Sequence, residues 1–410
     1  MSRTKGALNK PKKNNGVFTM NFEKQILGSA VTKDSNRGWI NYGAKNDYPN
    51  QLLNLYNQSP TLHACISFAV QSIIGDGVDY AAMKLDNGDI VPNAYETWDE
   101  LLRKIATDYM IYGSYSLQII KNRNNTDYSF YHIPYDQVRW GKYDEDGCIT
   151  EYYVCQDWTQ TAKYQPIRMD AFEMREDAKI AQGKPYLYVH KTYSPTMTYY
   201  NTPCYVSALK SIQAEVEMSN YDLKHIMNGF TTSGVLQLQP VDTEKDKENI
   251  IDNITRMFTS SDNANNIMIT FGNGTGEDAI SWTPLQSGAE TSVNIYEDSN
   301  QRQINRILST FQIPSRQLIG VPDQGGSGFN SEAEMLQVSY NLYQKLIGNY
   351  NRNCIVRSLN FMFKMNGVDT ELILKPISFL DEVNTSNVTD DTDISVSDNV
   401  SSENIEEKVA

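Results

Sequence analysis

The sequence lacks any apolar stretch long enough to cross a membrane. No run in its 410 residues approaches the roughly 18 consecutive apolar residues of a membrane-spanning helix. Residues 1–16 are basic and polar, and no apolar core of a signal peptide follows them. These absences predict a soluble protein that works or is assembled in the cytoplasm and has no membrane partner.

Cysteine is scarce and unpatterned. The chain has five cysteines, an odd number, and none of them forms a C-x-x-C pair. A disulfide framework and a cysteine-based zinc site both need paired or closely spaced cysteines. We therefore exclude both and expect a reducing environment.

Motifs that carry catalysis are also missing. The chain has no G-x-x-x-x-G-K-[ST] phosphate loop, no G-x-S-x-G nucleophile elbow and no H-x-x-x-H or H-E-x-x-H metal motif. We expect no enzymatic activity, no cofactor and no metal ion. The glycine-rich segment 272–276 lacks the Lys-Ser/Thr of a phosphate loop, and we interpret it as a hairpin turn. The acidic pairs Glu215/Glu217 and Asp144/Asp146 are interpreted as solvated surface.

The chain has fewer basic than acidic residues. It has 36 Lys and Arg residues and 50 Asp and Glu residues, which gives a net charge of −14. Lys and Arg contacts to phosphate supply most non-specific affinity for nucleic acid. The balance therefore argues against a protein that binds nucleic acid tightly. At this length the chain can bury a sizeable core and is expected to form two or three domains.

The most regular helical pattern lies between Tyr205 and Asn228. Apolar residues recur there at alternating spacings of three and four, the heptad pattern of a helix that packs along another helix. We expect a helix over 204–229. An ordinary core helix and a helix at a subunit interface both need such a stripe, so the stripe alone does not separate them. Its packing residues are Leu209, Ile212, Val216, Leu223 and Ile226, with Ser219 inside the stripe.

A second helix is expected over 291–312 and a turn and loop over 313–330. Pro314 disfavours helical conformation at the preceding residue, so the helix should end there. No aliphatic side chain follows Val321 in the loop. We therefore interpret it as a functional loop at the surface rather than a core segment. Its residues are Val321, Pro322, Asp323, Gln324, Gly325, Gly326, Ser327, Gly328 and Phe329.

A long helix should follow the loop, because Ser331 and Glu334 have the spacing of a capping box. We place this helix over 331–366. After it, 367–380 has room for one or two strands. Residues 381–410 are acidic and lack aromatics, which predicts disorder, and we expect the arm over 1–45 to be partly disordered.

The remaining segments predict a mixture of helices and strands. Helices are expected at 50–56, 62–74, 97–112 and 243–258, and a hairpin over 78–92. Strands are expected at 115–121, 128–132, 137–142, 150–156, 185–190, 234–238, 266–271 and 279–283.

Three short blocks occur in a fixed order along residues 40–365. The first runs from Tyr48 to Tyr56, continues with Ser59-Pro60 and ends with Ile74-Gly75-Asp76-Gly77. The second is Tyr199-Tyr200-Asn201-Thr202-Pro203 with Ser207-Ala208-Leu209. The third joins Ile313-Pro314, Leu318 and Gly320 to Gly328, Phe329, Ser331, Ala333 and Glu334. Together these blocks resemble the portal proteins of tailed double-stranded-DNA bacteriophages.

The resemblance implies an α+β portal fold with named parts. These are a mixed α/β wing over 46–203, two stem helices over 204–229 and 291–312, a small α/β clip insertion over 230–290, a turn and tunnel loop over 313–330, a long wing helix over 331–366 and a reduced crown over 367–380.

The resemblance also implies a structural function. Portal proteins form a ring, typically of twelve copies, at one capsid vertex of the virion. Viral DNA passes through the ring during packaging and ejection. The large subunit of terminase and the head-tail connector proteins dock at the clip, and the major capsid and scaffolding proteins are further partners. An acidic wall suits such a channel, because tight phosphate contacts would stall double-stranded DNA.

A carbohydrate-binding or carbohydrate-active protein is the alternative. The many tyrosines, asparagines and acidic residues suggest it, although aromatic side chains also fill mixed sheets. The heptad helix paired with a glycine-rich loop favours the portal interpretation, because a sugar-binding module requires neither. The candidate stacking residues are Tyr131, Tyr135, Trp140, Tyr152, Tyr153 and Trp158.

Removal of Asp323 to Gly328 tests the loop. We expect the melting temperature and ring formation to stay nearly unchanged, because glycines and short polar side chains contribute little packing. The DNA content per head should fall. Normal DNA content would exclude a role in packaging, and a collapsed melting temperature would make the loop structural instead.

Overall fold

The computed structural model describes residues 37–377, except 86–90, 124–126, 176–179, 196, 228–233, 239–266, 272–280, 285–288 and 322–328. Four predictions therefore lie outside the described residues: the helix at 243–258, the turn at 272–276, the acidic tail, and the loop between Val321 and Phe329. The same holds for the first 36 residues of the arm.

The predicted helices are confirmed to within a few residues at their ends. Thr97 caps α3 in a capping box with Glu100, and Gly113 ends that helix in the left-handed conformation at φ 74°. The helices are α1 (Tyr48–Gln58), α2 (Pro60–Ile74), α3 (Trp98–Tyr112), α4 (Leu209–Met227), α5 (Ala289–Thr310), α6 (Phe329–Tyr343) and α7 (Asn349–Met365).

One six-stranded sheet forms the centre of the protein, with strand order β2-β1-β6-β5-β4-β3. Neighbouring strands are antiparallel except β5 and β6, which are parallel. The strands are β1 (Ser114–Lys121), β2 (Tyr128–Ile133), β3 (Val138–Trp140), β4 (Glu151–Val154), β5 (Ile167–Ala171) and β6 (Pro185–Lys191). Strand β5 was not predicted, because the charged residues Arg168 and Asp170 within its five residues obscure an apolar strand pattern. Its pairing with β4 and β6 stabilises it instead.

Helices cover the sheet and complete the core. α3 packs between α2 and strand β1, and its Trp98 lies edge-on to Phe363 of α7 with ring centroids 4.6 Å apart. Leu359 and Met362 of α7 are buried in the same core. The long C-terminal helix is thus fixed to the sheet layer, about 250 residues downstream of α3 in the chain.

The segment before α1 belongs to this core. Ile40 and Tyr42 are buried, and the Ile40 N–H donates to the Trp140 carbonyl at 2.8 Å. The guanidinium of Arg139 is also fully buried and donates to both Asn46 oxygens, to Oδ1 at 2.6 Å and to the backbone carbonyl at 2.9 Å. The last residues of the predicted arm are therefore part of the sheet layer.

The segment after α7 packs back onto the body. Lys375 N–H donates to the Gly77 carbonyl at 2.9 Å, and Asp79 N–H donates to the Ile373 carbonyl at 2.8 Å. The prediction of one or two strands over 367–380 is wrong for its described part, 367–377, which contains a single β-bridge from Leu374 to Val78. Gly75 permits this close crossing, because a Cβ there would lie 1.9 Å from the Lys375 carbonyl oxygen.

The predicted hairpin over 78–92 is also wrong. Residues 79–85 form successive turns, with the Met83 N–H bonded to the Asp79 carbonyl at 3.1 Å and the Leu85 N–H to the Tyr80 carbonyl at 3.0 Å. The reason is that the bridge of Val78 goes to Leu374 rather than to a strand following the turn. The central turn residues 86–88 lie outside the described part.

A second, three-stranded sheet lies between α4 and α5 in the chain. Its strands β7 (Gly234–Leu238), β8 (Ile267–Phe271) and β9 (Ser281–Pro284) confirm the three predicted strands. Their order is β8-β7-β9, with β8 parallel and β9 antiparallel to β7. The turn predicted at 272–276 lies outside the described residues.

The long helix predicted over 331–366 is confirmed in extent but contains an interruption. α6 and α7 are joined by a π-helical segment at Gln344–Gly348, and the backbone stays helical at Gly348. The helix begins at Phe329, so the prediction that Ser331 caps it is wrong: Ser331 is the third helical residue. The S-x-x-E spacing also occurs inside helices and does not by itself fix a start.

The π segment aligns two side chains that hold the end of α2. Gln344 Nε2 donates to the Ser72 carbonyl at 3.0 Å, and Arg352 donates to the carbonyls of Ser72 at 2.8 Å and Ile73 at 2.9 Å. In a continuous α-helix, residues eight apart are rotated by about 80° relative to each other. The extra residue of a π turn reduces that angle to about 20°.

Candidate functional site

The candidate functional site is the pair formed by α4 and α5, together with its attachment to the body. The Tyr205 ring, just before α4, stacks on Phe311, just after α5, at 5.7 Å between centroids. Leu209 and Ile212 at the start of α4 are buried, as are Ile307 and Leu308 at the end of α5. The helices therefore run antiparallel, and the body holds the start of one and the end of the other.

The predicted stripe on α4 is buried only along its first half. Leu209, Ile212 and Val216 are buried, whereas Leu223 is 56% exposed and Ser219 is also exposed. The side chain of Ile226 lies outside the described residues. Leu223 is therefore not buried in the single chain, and its role as a packing residue of the helix pair stays a prediction.

On α5, the residues from Glu297 to Gln303 form a run of seven polar or charged residues. The α5 side chains before Glu297 lie outside the described residues, so the contacts of the second half of the α4 stripe stay a prediction.

Glu215 was predicted to be solvated surface, and this prediction is wrong. Its carboxylate is buried and accepts hydrogen bonds from Ser59 Oγ and Thr61 Oγ1. Ser59 Oγ in turn accepts from the Leu62 N–H at 3.1 Å, which caps α2. A carboxylate is favourable at a helix N-terminus, so Glu215 joins α4 to the start of α2. Its partner Glu217 is exposed, as predicted.

The sequence contained a signal for this contact. Glu215 lies three residues after Ile212 and directly before Val216, so it is on the apolar face of the helix. A carboxylate on a buried face needs hydrogen-bond donors. The Ser59-Pro60-Thr61 helix start is the segment that supplies them.

The passage into α4 is fixed by Asn201. This residue is fully buried, and its Nδ2 donates to the Tyr112 carbonyl at 3.1 Å while its Oδ1 accepts from Ser114 Oγ at 2.7 Å. The Asn201 carbonyl accepts from Tyr42 OH at 2.6 Å. One residue thus joins the end of α3 and the start of β1 through its side chain, and the segment before α1 through its backbone carbonyl.

Tyr200 reinforces the same junction. Its ring stacks on Tyr42 with centroids 3.9 Å apart, and its hydroxyl accepts from the Trp140 N–H at 3.2 Å and donates to the Ile40 carbonyl. Burial raises the pKa of both tyrosines above the ordinary range, so both remain neutral hydrogen-bond donors. The polar groups of Tyr200 and Asn201, in the second sequence block, can therefore be buried because each has hydrogen-bond partners.

The turn after α5 has the predicted form. Helix α5 ends at Thr310, and a 3₁₀ turn at Arg316–Ile319 ends at Gly320 with φ 80°. The Arg316 guanidinium folds back on α5 and donates to Asn305 Oδ1 at 2.6 Å. The entry to the predicted loop is therefore fixed, whereas Pro322 to Gly328 lie outside the described residues.

A cleft of about 720 Å³ lies between α4, α5 and the start of α2. Four carboxylates line it: Glu215, Glu217, Asp222 and Glu297. In the described part of the chain, no group of three or more His, Cys, Asp or Glu side chains could hold a metal ion. The negative charge of the cleft disfavours a phosphate ligand.

The aromatic residues suggested for sugar stacking are mostly in the core. Tyr135, Trp140, Tyr152 and Trp158 are buried, so their faces cannot stack on a ligand. Three histidines have packing roles. His63 stacks on Tyr56, His132 pairs with Asp108, and His190 stacks on Tyr115 while burial lowers its pKa to about 4.

None of the helices among the described residues is long and apolar enough to span a bilayer.

Comparisons with protein families and with solved structures give matches over most of the chain. The model of the phage portal protein family matches residues 89–373. A chain from the virion of the native gene transfer agent particle is 15% identical, with 82% of this chain and 84% of that chain covered at a TM-score of 0.50. At this identity the likeness shows the fold. The comparison with curated proteins gives no match.

Two further solved chains come from the neck of the same kind of particle. One, from the empty particle computed with C6 symmetry, is 15% identical and covers 82% of this chain and 85% of its own length at a TM-score of 0.51. The other, from the native particle computed with C12 symmetry, is 15% identical, with coverages of 80% and 84% and a TM-score of 0.50.

The half-buried stripe on α4 gives a matched pair of substitutions. Val216→Asp places a carboxylate in a buried contact and should lower the free energy of unfolding by about 2–5 kcal/mol. Leu223→Asp, on the exposed half, should change it by less than about 0.5 kcal/mol. Thermal denaturation at protein concentrations below assembly measures both. Equal losses in the two variants, or none in Val216→Asp, would contradict the packing described for α4.

Proposed function

The chain belongs to the phage portal protein family, and from this premise we propose that it forms a ring at one capsid vertex through which double-stranded DNA is packaged and ejected. The observation that carries the proposal is the family match over residues 89–373. That match spans α3, all six strands of the central sheet, the α4–α5 pair, the loop after α5 and the whole of the long helix. The role is structural rather than enzymatic.

The parts of the fold take the names that the family suggests. The sheet layer is the wing, α4 and α5 are the stem, and the long helix α6–α7 is the wing helix. Because α4 and α5 run antiparallel from the body, the clip, residues 230–290, joins their far ends. At about 1.5 Å per residue the 19 residues of α4 place the start of the clip about 28 Å from the start of α4. A docking element held away from the wing suits contact with external components.

The charge of the stem supports passage of DNA rather than binding. Glu217, Asp222 and Glu297 are exposed on the two stem helices. Carboxylates repel phosphate, so DNA next to these helices would not be held. We assign the tunnel loop, Val321 to Phe329, to the same task of contacting DNA without retaining it, since its side chains from Asp323 to Gly328 are polar, acidic or absent.

DNA packaging and particle assembly also require other proteins. The sequence contains no phosphate loop for ATP, so a separate motor, the large subunit of terminase, supplies the energy and docks at the clip during packaging. Head-tail connector proteins replace it there later. Major capsid and scaffolding proteins contact the wing during assembly in the host cytoplasm. The aromatic residues suggested for sugar stacking are mostly buried, which argues against the carbohydrate-binding alternative.

Negative-stain electron microscopy of the purified full-length protein tests the proposal. We expect rings with a central hole, with about twelve copies, as in the neck computed with C12 symmetry. The Val216→Asp variant is a control, because a destabilised stem should give few or no rings. Compact single chains at micromolar concentration, with no rings under any condition, would contradict the proposed function.

A further inference from the structure

An apolar stripe runs along the outer face of the long helix. Its five side chains are between 47% and 69% exposed, although the opposite face of the same helix is fixed in the core by Tyr343, Ile355 and Leu359. Single exposed apolar residues are normal on a protein surface, but a contiguous row marks an interaction site. The outer stripe consists of Met335, Val338, Leu342, Leu346 and Tyr350.

The π segment makes the outer stripe straight. In a continuous α-helix, Tyr350 would be rotated by about 120° from Val338, because each residue turns by about 100°. The additional residue of the π turn at Gln344–Gly348 reduces that angle to about 20°. Val338 and Tyr350 therefore face nearly the same direction, as a flat contact with another body requires.

The charge of the outer stripe indicates which molecule binds to it. Between Met335 and Tyr350 the only charged residue is Lys345, and there is no carboxylate. The chain as a whole has a net charge of −14, so two copies repel each other wherever acidic faces meet. A rigid apolar face without carboxylates is the surface on which an acidic chain can contact a second copy of itself.

We propose that the outer stripe seats the neighbouring copy of this chain in the ring, an inference that rests on the proposed function. A ring contact is heterologous, meaning that it joins two different patches. The stripe therefore meets a different surface of the neighbour rather than another stripe. The acidic stem helices are kept free of this contact.

Two substitutions one residue apart provide the test. Val338→Asp puts a carboxylate into the outer stripe, whereas Gln337→Asp adds the same charge at a neighbouring exposed position about 100° around the helix. Mass photometry of the full-length protein measures the concentration at which half of it is in rings. We expect Val338→Asp to raise that concentration by at least about tenfold and Gln337→Asp to leave it nearly unchanged. Melting temperatures of the single chains should not differ.

Photo-crosslinking keeps the test decisive if Val338→Asp misfolds. Benzoyl-phenylalanine in place of Val338 should join two copies covalently, and in place of Gln337 it should do so much less. Crosslinks from position 338 to residues 1–36 or 378–410 of the same chain would overturn the inference.

The remaining outcomes separate the two proposals. Normal rings formed by Val338→Asp would overturn the inference and leave the proposed function intact. A wild-type protein that stays a single chain at every concentration would overturn both.

Discussion

The structure depends on a rule of burial: a polar group removed from water must have a hydrogen-bond partner inside the protein. The junction between the sheet layer and the helix pair is built from such groups. Asn201 satisfies both of its amide atoms there, and Glu215 is held by two hydroxyl groups at the start of α2. Each partner set has a fixed direction, so the helix pair leaves the body in one orientation. Apolar packing alone would permit sliding, whereas paired buried groups do not. A ring of identical copies needs this uniformity, since an error in the stem direction would recur at every interface.

Much of the fold could be predicted from the sequence because long periodic elements carry their own signal. The α4 stripe, the strands β1 and β6 and the long helix all show clear apolar patterns. What could not be predicted depends on residues far apart in the chain. Glu215 and Ser59 are separated by 156 positions, and Arg139 and Asn46 by 93. Local patterns identified neither pair.

Charge separates two kinds of surface on this chain. The helix pair carries exposed carboxylates and a cleft lined by four of them, whereas the outer stripe has none between Met335 and Tyr350. In the proposed ring, like-charge repulsion would direct contacts between copies to the uncharged face, and it would direct DNA away from tight contact with the acidic helices. Under this proposal, cohesion between copies and free passage of DNA depend on different helices.

The most direct test of the account is the position of this protein in the assembled particle. Antibody-gold labelling of purified particles, viewed by electron microscopy, counts the labelled vertices on each particle. A portal ring predicts one labelled vertex per particle, at the site where the tail or connector attaches. Label at several vertices or spread over the shell, or none in purified particles, would contradict the account.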